Sequence, residues 1–246
     1  MKVSLFITCL ADHFAPQVGE AVFHLLRRHG VEVDFPAGQT CCGQPSWNTG
    51  HLDDARDFAR LYMKTFARSE YIIQPSGSCA GHVRYFYPKM FPDGSPEQRE
   101  AAAIGQRTYE FTEFMVKVLG VKDVGARYKG KAFFHTNCHM QRELKVREEP
   151  LEMLRCVRDL ELVDIPRPDL CCGFGGAFSV KEPEISTAMA DDKLDAILAT
   201  GADLLVSSDL GCLMHQGGRL EKRGITSVRP VHIAELLWEG VQQNGR

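Results

Sequence analysis

The feature that most constrains this chain is its cysteine pattern. Nine cysteines stand at positions 9, 41, 42, 79, 138, 156, 171, 172 and 212 of 246 residues, and eight of them form one series written twice. Cys9 answers to Cys138, Cys41-Cys42 to Cys171-Cys172, and Cys79 to Cys212, each pair separated by nearly the same length of chain. Repetition on that scale implies two copies of one structural unit rather than a single fold with scattered thiols.

The neighbouring residues keep the same step. Val3-Ser4-Leu5-Phe6-Ile7 before Cys9 matches Ala132-Phe133-Phe134-His135 before Cys138, and both read as a buried strand ending near a thiol. The run Val31 to Pro36 matches Leu160 to Pro166, a strand stopped by proline, and Tyr71-Ile72-Ile73 matches Asp203-Leu204-Leu205-Val206. Helical periodicity fills the gaps over Val18 to His29, Asp53 to Ser69, Pro150 to Asp159 and Glu184 to Thr200, with Gly30 and Gly201 as C-terminal stops. Thr112 to Val116 and His232 to Trp238 predict matching final helices. Strand and helix thus alternate in each half, which predicts an α/β fold of two repeated parallel-sheet halves related by pseudo-two-fold symmetry. The first repeat is expected at 1–122 and the second at 129–246, with the boundary between Gly120 and Gly130.

Composition narrows the partners. An apolar share of 44% supports real cores, and 29 Lys and Arg against 32 Asp and Glu supply no basic field for nucleic acid or an anionic membrane. No apolar run reaches the roughly eighteen residues of a membrane span, and the opening apolar run is too short for a secretory signal; a cytoplasmic location is expected. In that reducing compartment the thiols are expected to serve metal binding or thiol chemistry rather than a disulfide framework. Cys156 has no counterpart in the first half and is expected to be a core residue.

In open α/β sheets, ligands collect beyond the carboxyl ends of strands, where three segments of each half would deliver four thiols. A disulfide between adjacent cysteines is sterically poor, because neighbouring Cα atoms sit about 3.8 Å apart while disulfides usually want roughly 4.4–6.8 Å. Gly43 and Gly173 permit a turn after each vicinal pair, and Pro45 suits the first turn of a helix whose amides favour thiolate. Four soft thiolates per half suit an iron–sulfur cluster or a structural Zn²⁺. The long gaps between ligands are unlike compact zinc knuckles, while zinc in one half stays open. His82 and His215 close each Cys-x-x-His and are candidate ligands or hydrogen-bonding neighbours.

Cys9, Cys41-Cys42-Gly43-Gln44-Pro45 and Cys79, repeated as Cys138, Cys171-Cys172-Gly173-Phe174-Gly175 and Cys212, resemble the duplicated cysteine-rich CCG domain. That domain is shared by the cysteine-rich component of heterodisulfide reductase and the iron–sulfur subunits of glycolate and anaerobic glycerol-3-phosphate oxidation. The resemblance covers essentially the whole chain and is nearest to the stand-alone members that serve lactate utilisation. It implies an electron-transfer subunit of a complex oxidising L-lactate, or a related 2-hydroxy acid, to the 2-oxo acid. It also implies a companion ferredoxin-type iron–sulfur subunit and a third subunit. One departure stands out: where heterodisulfide reductase has Cys-x-x-Cys, this chain has Ser76 and Asp209 in the first position. Four thiols per half remain, so a [4Fe–4S] cluster is expected rather than a five-thiol non-cubane centre. Ser76 and Asp209 become candidates for tuning the centre or filling an open position.

Two other functions compete. Gly77-Ser78-Cys79-Ala80-Gly81 after an apolar strand has the form of a nucleophile elbow, which would make Cys79 the nucleophile of a hydrolase. That reading leaves seven paired thiols unexplained. A zinc-stabilised, non-catalytic interaction subunit is the other alternative.

Overall fold

The computed structural model describes residues 1–244, so the last two residues of the expected second repeat lie outside the described residues. Two four-stranded sheets form the frame, and every strand pair in both is parallel. The first contains β1 (Lys2–Leu5), β2 (Glu32–Asp34), β3 (Ile72–Gln74) and β4 (Thr108–Glu110) in the order β2-β1-β3-β4. The second contains β5 (Arg127–His135), β6 (Arg158–Val163), β7 (Leu204–Ser207) and β8 (Arg229–His232) in the equivalent order β6-β5-β7-β8. Each half therefore repeats one topology, with helices joining its parallel strands.

Sequence periodicity finds three strands per half; the structure has four. β4 and β8 are only a few residues long and run straight into helices, so their period-2 signal is lost beside the stronger helical pattern. His232 accordingly ends β8 instead of opening the final helix, Ile233–Asn244. β5 starts inside the stretch expected as a boundary. The helix expected over Pro150 to Asp159 occupies Glu148–Arg155, and Cys156 caps it, half-buried rather than in the core.

The halves share their largest core. Val3, Leu5, Val22 and Leu26 pack in one cluster with Phe134, Val206, Leu236 and Leu237. The helix Pro16–Arg28 starts on a proline, buries Val18, Ala21, Val22, Leu25 and Leu26 at helical spacing, and lies against Ile233–Asn244 of the other half. His24 stacks on Trp238 across that contact, with ring centroids 4.8 Å apart. Each central strand is flanked by crossover helices, so its interior residues are apolar almost without break, as in Ile72-Ile73 and Leu204-Leu205-Val206.

Polar contacts close the seam near the strand ends. Asp209 Oδ2 accepts from Ser76 Oγ and from the Ser78 amide, both at 3.1 Å. His232 Nε2 donates to the Pro75 carbonyl at 3.2 Å, while its Nδ1 accepts from the Ala234 amide. Burial lowers the His232 pKa to about 4, from an ordinary value of 6.5. Between those two values the unfolded chain binds a proton that the folded chain does not, so stability falls as pH drops from about 6.5 towards 4. The loss attributable to this ring is expected to approach about 3 kcal/mol. Denaturant unfolding across that range should show a shallower pH slope in His232→Gln than in the parent.

Candidate metal centre

Each sulfur lies in a segment that follows a strand, the single cysteines soon after it and the vicinal pairs beyond a loop. Thr8 precedes the helix Cys9–Phe14, and the equivalent Asn137 receives the Met140 amide on its side-chain oxygen at 2.8 Å, opening the helical turn that begins at Cys138. Ser76 caps the helix Gly77–Gly81 by accepting from the Cys79 amide; Asp209 caps Leu210–Lys222 by accepting from the amides of Gly211 and Cys212. Four of the eight thiols thus lie in the first turns of helices, where backbone amides favour negative sulfur. Ser76 and Asp209 are bonded to each other and cap the helix starts, and both line the cavity.

The vicinal pairs occupy matching turns. Gly43 and Gly173 adopt φ of +83° and +91°, a conformation that reverses the chain after each pair. In both turns the glycine amide donates to the first sulfur, Gly43 to Cys41 Sγ and Gly173 to Cys171 Sγ, each at 3.4 Å. A Cβ at Gly173 would lie 2.4 Å from the Ser186 carbonyl oxygen, so no larger residue fits. Pro45 stands in the first turn of the helix Gln44–Asn48, as its sequence position predicts. The loops leading to the pairs are pinned differently. Gln39 bonds both the Ile7 amide and the Leu5 carbonyl at the end of β1, at 3.0 and 2.8 Å. In the second half the buried ammonium of Lys193 donates to the carbonyls of Pro168 and Leu170, at 2.9 and 2.5 Å.

The structure brings together both expected quartets. Sulfur contacts run from Cys9 to Cys41 (3.7 Å), on to Cys42 and to Cys79; an identical series runs from Cys138 through Cys171 and Cys172 to Cys212. All eight thiols line one cavity of about 300 Å³ between the halves, where the sequence implies only two separate groups. Within each quartet one sulfur carries the negative charge. Hydrogen bonds from Cys42 and Cys9 lower the Cys41 pKa to about 3, and those from Cys138 and Cys172 lower that of Cys171 to about 2. The donating thiols Cys9, Cys42, Cys138 and Cys172 are pushed up in turn, by those same contacts and by burial. Four crowded thiols cannot all ionise unaided, whereas a cationic inorganic centre lets them do so.

The donor set, four soft thiols in each half, suits a metal ion or an iron–sulfur cluster. Tetrahedral Zn²⁺ with Zn–S bonds of about 2.3 Å holds every pair of sulfurs about 3.8 Å apart. Among the described residues, no three thiol sulfurs lie all within 4.8 Å of one another.

Comparison with known proteins places this geometry. The model of the CCG cysteine-rich domain matches residues 3–84 and again 132–216. Lactate utilization protein A 2 of Bacillus cereus (strain 03BB102) is 48% identical over 243 residues, covering 99% of this chain and 100% of the relative. Lactate utilization protein A of Bacillus subtilis (strain 168) is 48% identical over 237 residues, covering 96% and 99%. The chain belongs to the lactate utilization protein A family of duplicated CCG-domain proteins. A putative Asp/Glu racemase from Yersinia pestis aligns over the full length of both chains at 10% identity and a TM-score of 0.38, a likeness too distant to bear on function.

Around the CCG cysteines, histidines behave unequally. His82 is fully buried beside Cys41, its pKa lowered to about 3 chiefly by burial, and neither ring nitrogen has a hydrogen-bond partner. His215 is half-buried, with Nε2 3.2 Å from Ser186 Oγ. Sequence reasoning misses His135 and Lys193, both fully buried by the second quartet. The signal for His135 lies in the repeat itself, which sets a polar residue where the first copy has Phe6. Cys79 has Cys42 as its polar neighbour instead of a histidine, unlike the nucleophile of a hydrolase. Among the described residues, no helix is long and apolar enough to cross a membrane.

The Gly173 turn yields a direct test. Gly173→Ala is expected to cost about 3 kcal/mol, from left-handed backbone strain together with overpacking against Ser186. Gly218→Ala, on an open face of the helix Leu210–Lys222, should be neutral or stabilising by up to about 1 kcal/mol in the same denaturant titration.

Proposed function

We propose that this chain is the iron–sulfur electron-transfer subunit of a complex that oxidises L-lactate, or a related 2-hydroxy acid, to the 2-oxo acid. The observation that carries the reading is the convergence of two thiol quartets on one cavity, in a chain whose relatives are named for lactate utilization. Cys9, Cys41, Cys42 and Cys79 are the ligands of one centre, and Cys138, Cys171, Cys172 and Cys212 those of the other. An iron–sulfur cluster, when bound, accepts and releases electrons one at a time.

The protein's own contribution is positional and electrostatic. First-turn amides and the Gly43 and Gly173 amides favour anionic sulfur, and the glycine turns aim both members of each vicinal pair into the cavity. Phe6, Tyr62 and Tyr87 pack with Cys42 and Cys79, keeping water from the N-terminal quartet. Oxidation of a 2-hydroxy acid to the 2-oxo acid releases two electrons and two protons. A companion ferredoxin-type iron–sulfur subunit and a third subunit complete the complex and take up those electrons.

Anaerobically reconstituted protein should contain iron and labile sulfide and show visible charge-transfer absorption. Cys79→Ser is expected to abolish the first centre and Cys172→Ser the second, each removing about half of the iron. A colourless, iron-free product that binds stoichiometric zinc would instead establish the zinc-stabilised interaction subunit. That second reading is favoured by one compact group, His135 with Cys172 and Cys212, whose donor atoms all lie within 4.8 Å of one another.

A further inference from the structure

The two repeats diverge in the buried layer behind the thiols. Setting Cys9 against Cys138 places Phe6, the first residue after β1, opposite His135, the last residue of β5. Phe6 packs edge-on against Tyr62 and Phe66, with centroids 5.1 and 5.7 Å away, so this side of the N-terminal quartet is carbon. His135 is fully buried, and neither of its ring nitrogens has a hydrogen-bond partner. Leaving such a group unsatisfied costs on the order of 1–3 kcal/mol, a cost that a partner at the end of this strand would remove.

The partner's position is marked by sulfur. Among the described residues, a His135 nitrogen and the sulfurs of Cys172 and Cys212 form the only trio of metal-donor atoms all within 4.8 Å of one another. His82, also buried and unpartnered, joins no such trio and instead packs against Phe86 and Tyr87. A second exchange accompanies the first. Ala55 and Phe58 stand against Gly43 as Ser186 and Met189 stand against Gly173, which sets the buried ammonium of Lys193 opposite the phenol of Tyr62.

We infer that the C-terminal centre takes a ring nitrogen of His135 as a further ligand, bound between Cys172 and Cys212 and added to its four cysteines, whereas the N-terminal centre is held by sulfur alone. This rests on the iron–sulfur reading above. A neutral imidazole adds no negative charge to the centre, as thiolate does, and histidine ligation raises the potential of iron–sulfur centres. The two centres therefore differ in kind, and the C-terminal one is the stronger electron acceptor.

The test uses Cys79→Ser, which retains only the C-terminal centre, and the double variant Cys79→Ser/His135→Phe. The latter installs the ring that the first repeat holds at that position. Iron and sulfide are quantified in both, followed by pulsed EPR of the reduced centre and redox titration. The expected result is a strong hyperfine coupling from directly bound nitrogen in Cys79→Ser, with loss of that coupling and a downward shift of midpoint potential in the double variant. His82→Phe on the Cys79→Ser background should change neither. An iron-loaded Cys79→Ser protein without the coupling, or a double variant that keeps it, overturns the inference while leaving the iron–sulfur reading intact. If Cys79→Ser binds zinc and no iron, the iron–sulfur reading fails for that half. X-ray absorption at the zinc edge then decides the nitrogen ligand, and an all-sulfur shell, like the absence of any metal, refutes it.

Discussion

Eight thiols on one small cavity create an electrostatic constraint on which everything else in this molecule depends. Sulfurs in contact cannot all be anionic without a cationic centre among them, so each quartet in the bare protein settles on a single favoured thiolate, Cys41 or Cys171. The scaffold's role is to make that crowding tolerable. It supplies helix amides, glycine amides and caps on the protein side, and it leaves the inorganic side to complete the neutralisation.

The caps explain how a parallel α/β frame achieves this. Ser76 and Asp209 start the helices that present Cys79 and Cys212. Their hydrogen bond to each other also ties one half to the other, so the position of each fourth thiol is coupled to the docking of the halves. Structural and electronic duties are therefore carried by adjacent atoms, and a substitution at either cap disturbs both.

Duplication supplies two equivalent frames, and divergence then acts on buried side chains packed behind the thiols. Phe6 against His135 and Tyr62 against Lys193 leave the backbone turns alike while changing polarity around the sulfurs. The two thiol groups therefore sit in distinct surroundings, and groups around a metal site tune its properties.

Much of this architecture is legible in one dimension. The repeat, the alternation of apolar strands with amphipathic helices, and the placing of Cys9, Cys41, Cys42 and Cys79 after strand ends are all local patterns, encoded by residue type and spacing. The short strands β4 and β8 are not legible, because a few residues merging into a helix carry no period of their own. Nor is the union of both quartets on one cavity, since that depends on the helix Pro16–Arg28 packing against Ile233–Asn244 across the whole length of the chain. His135 and Lys193 look in sequence like ordinary polar residues of a strand and a helix. Only the tertiary structure buries them beside sulfur, because burial is decided by which surfaces meet and not by the residues next in line.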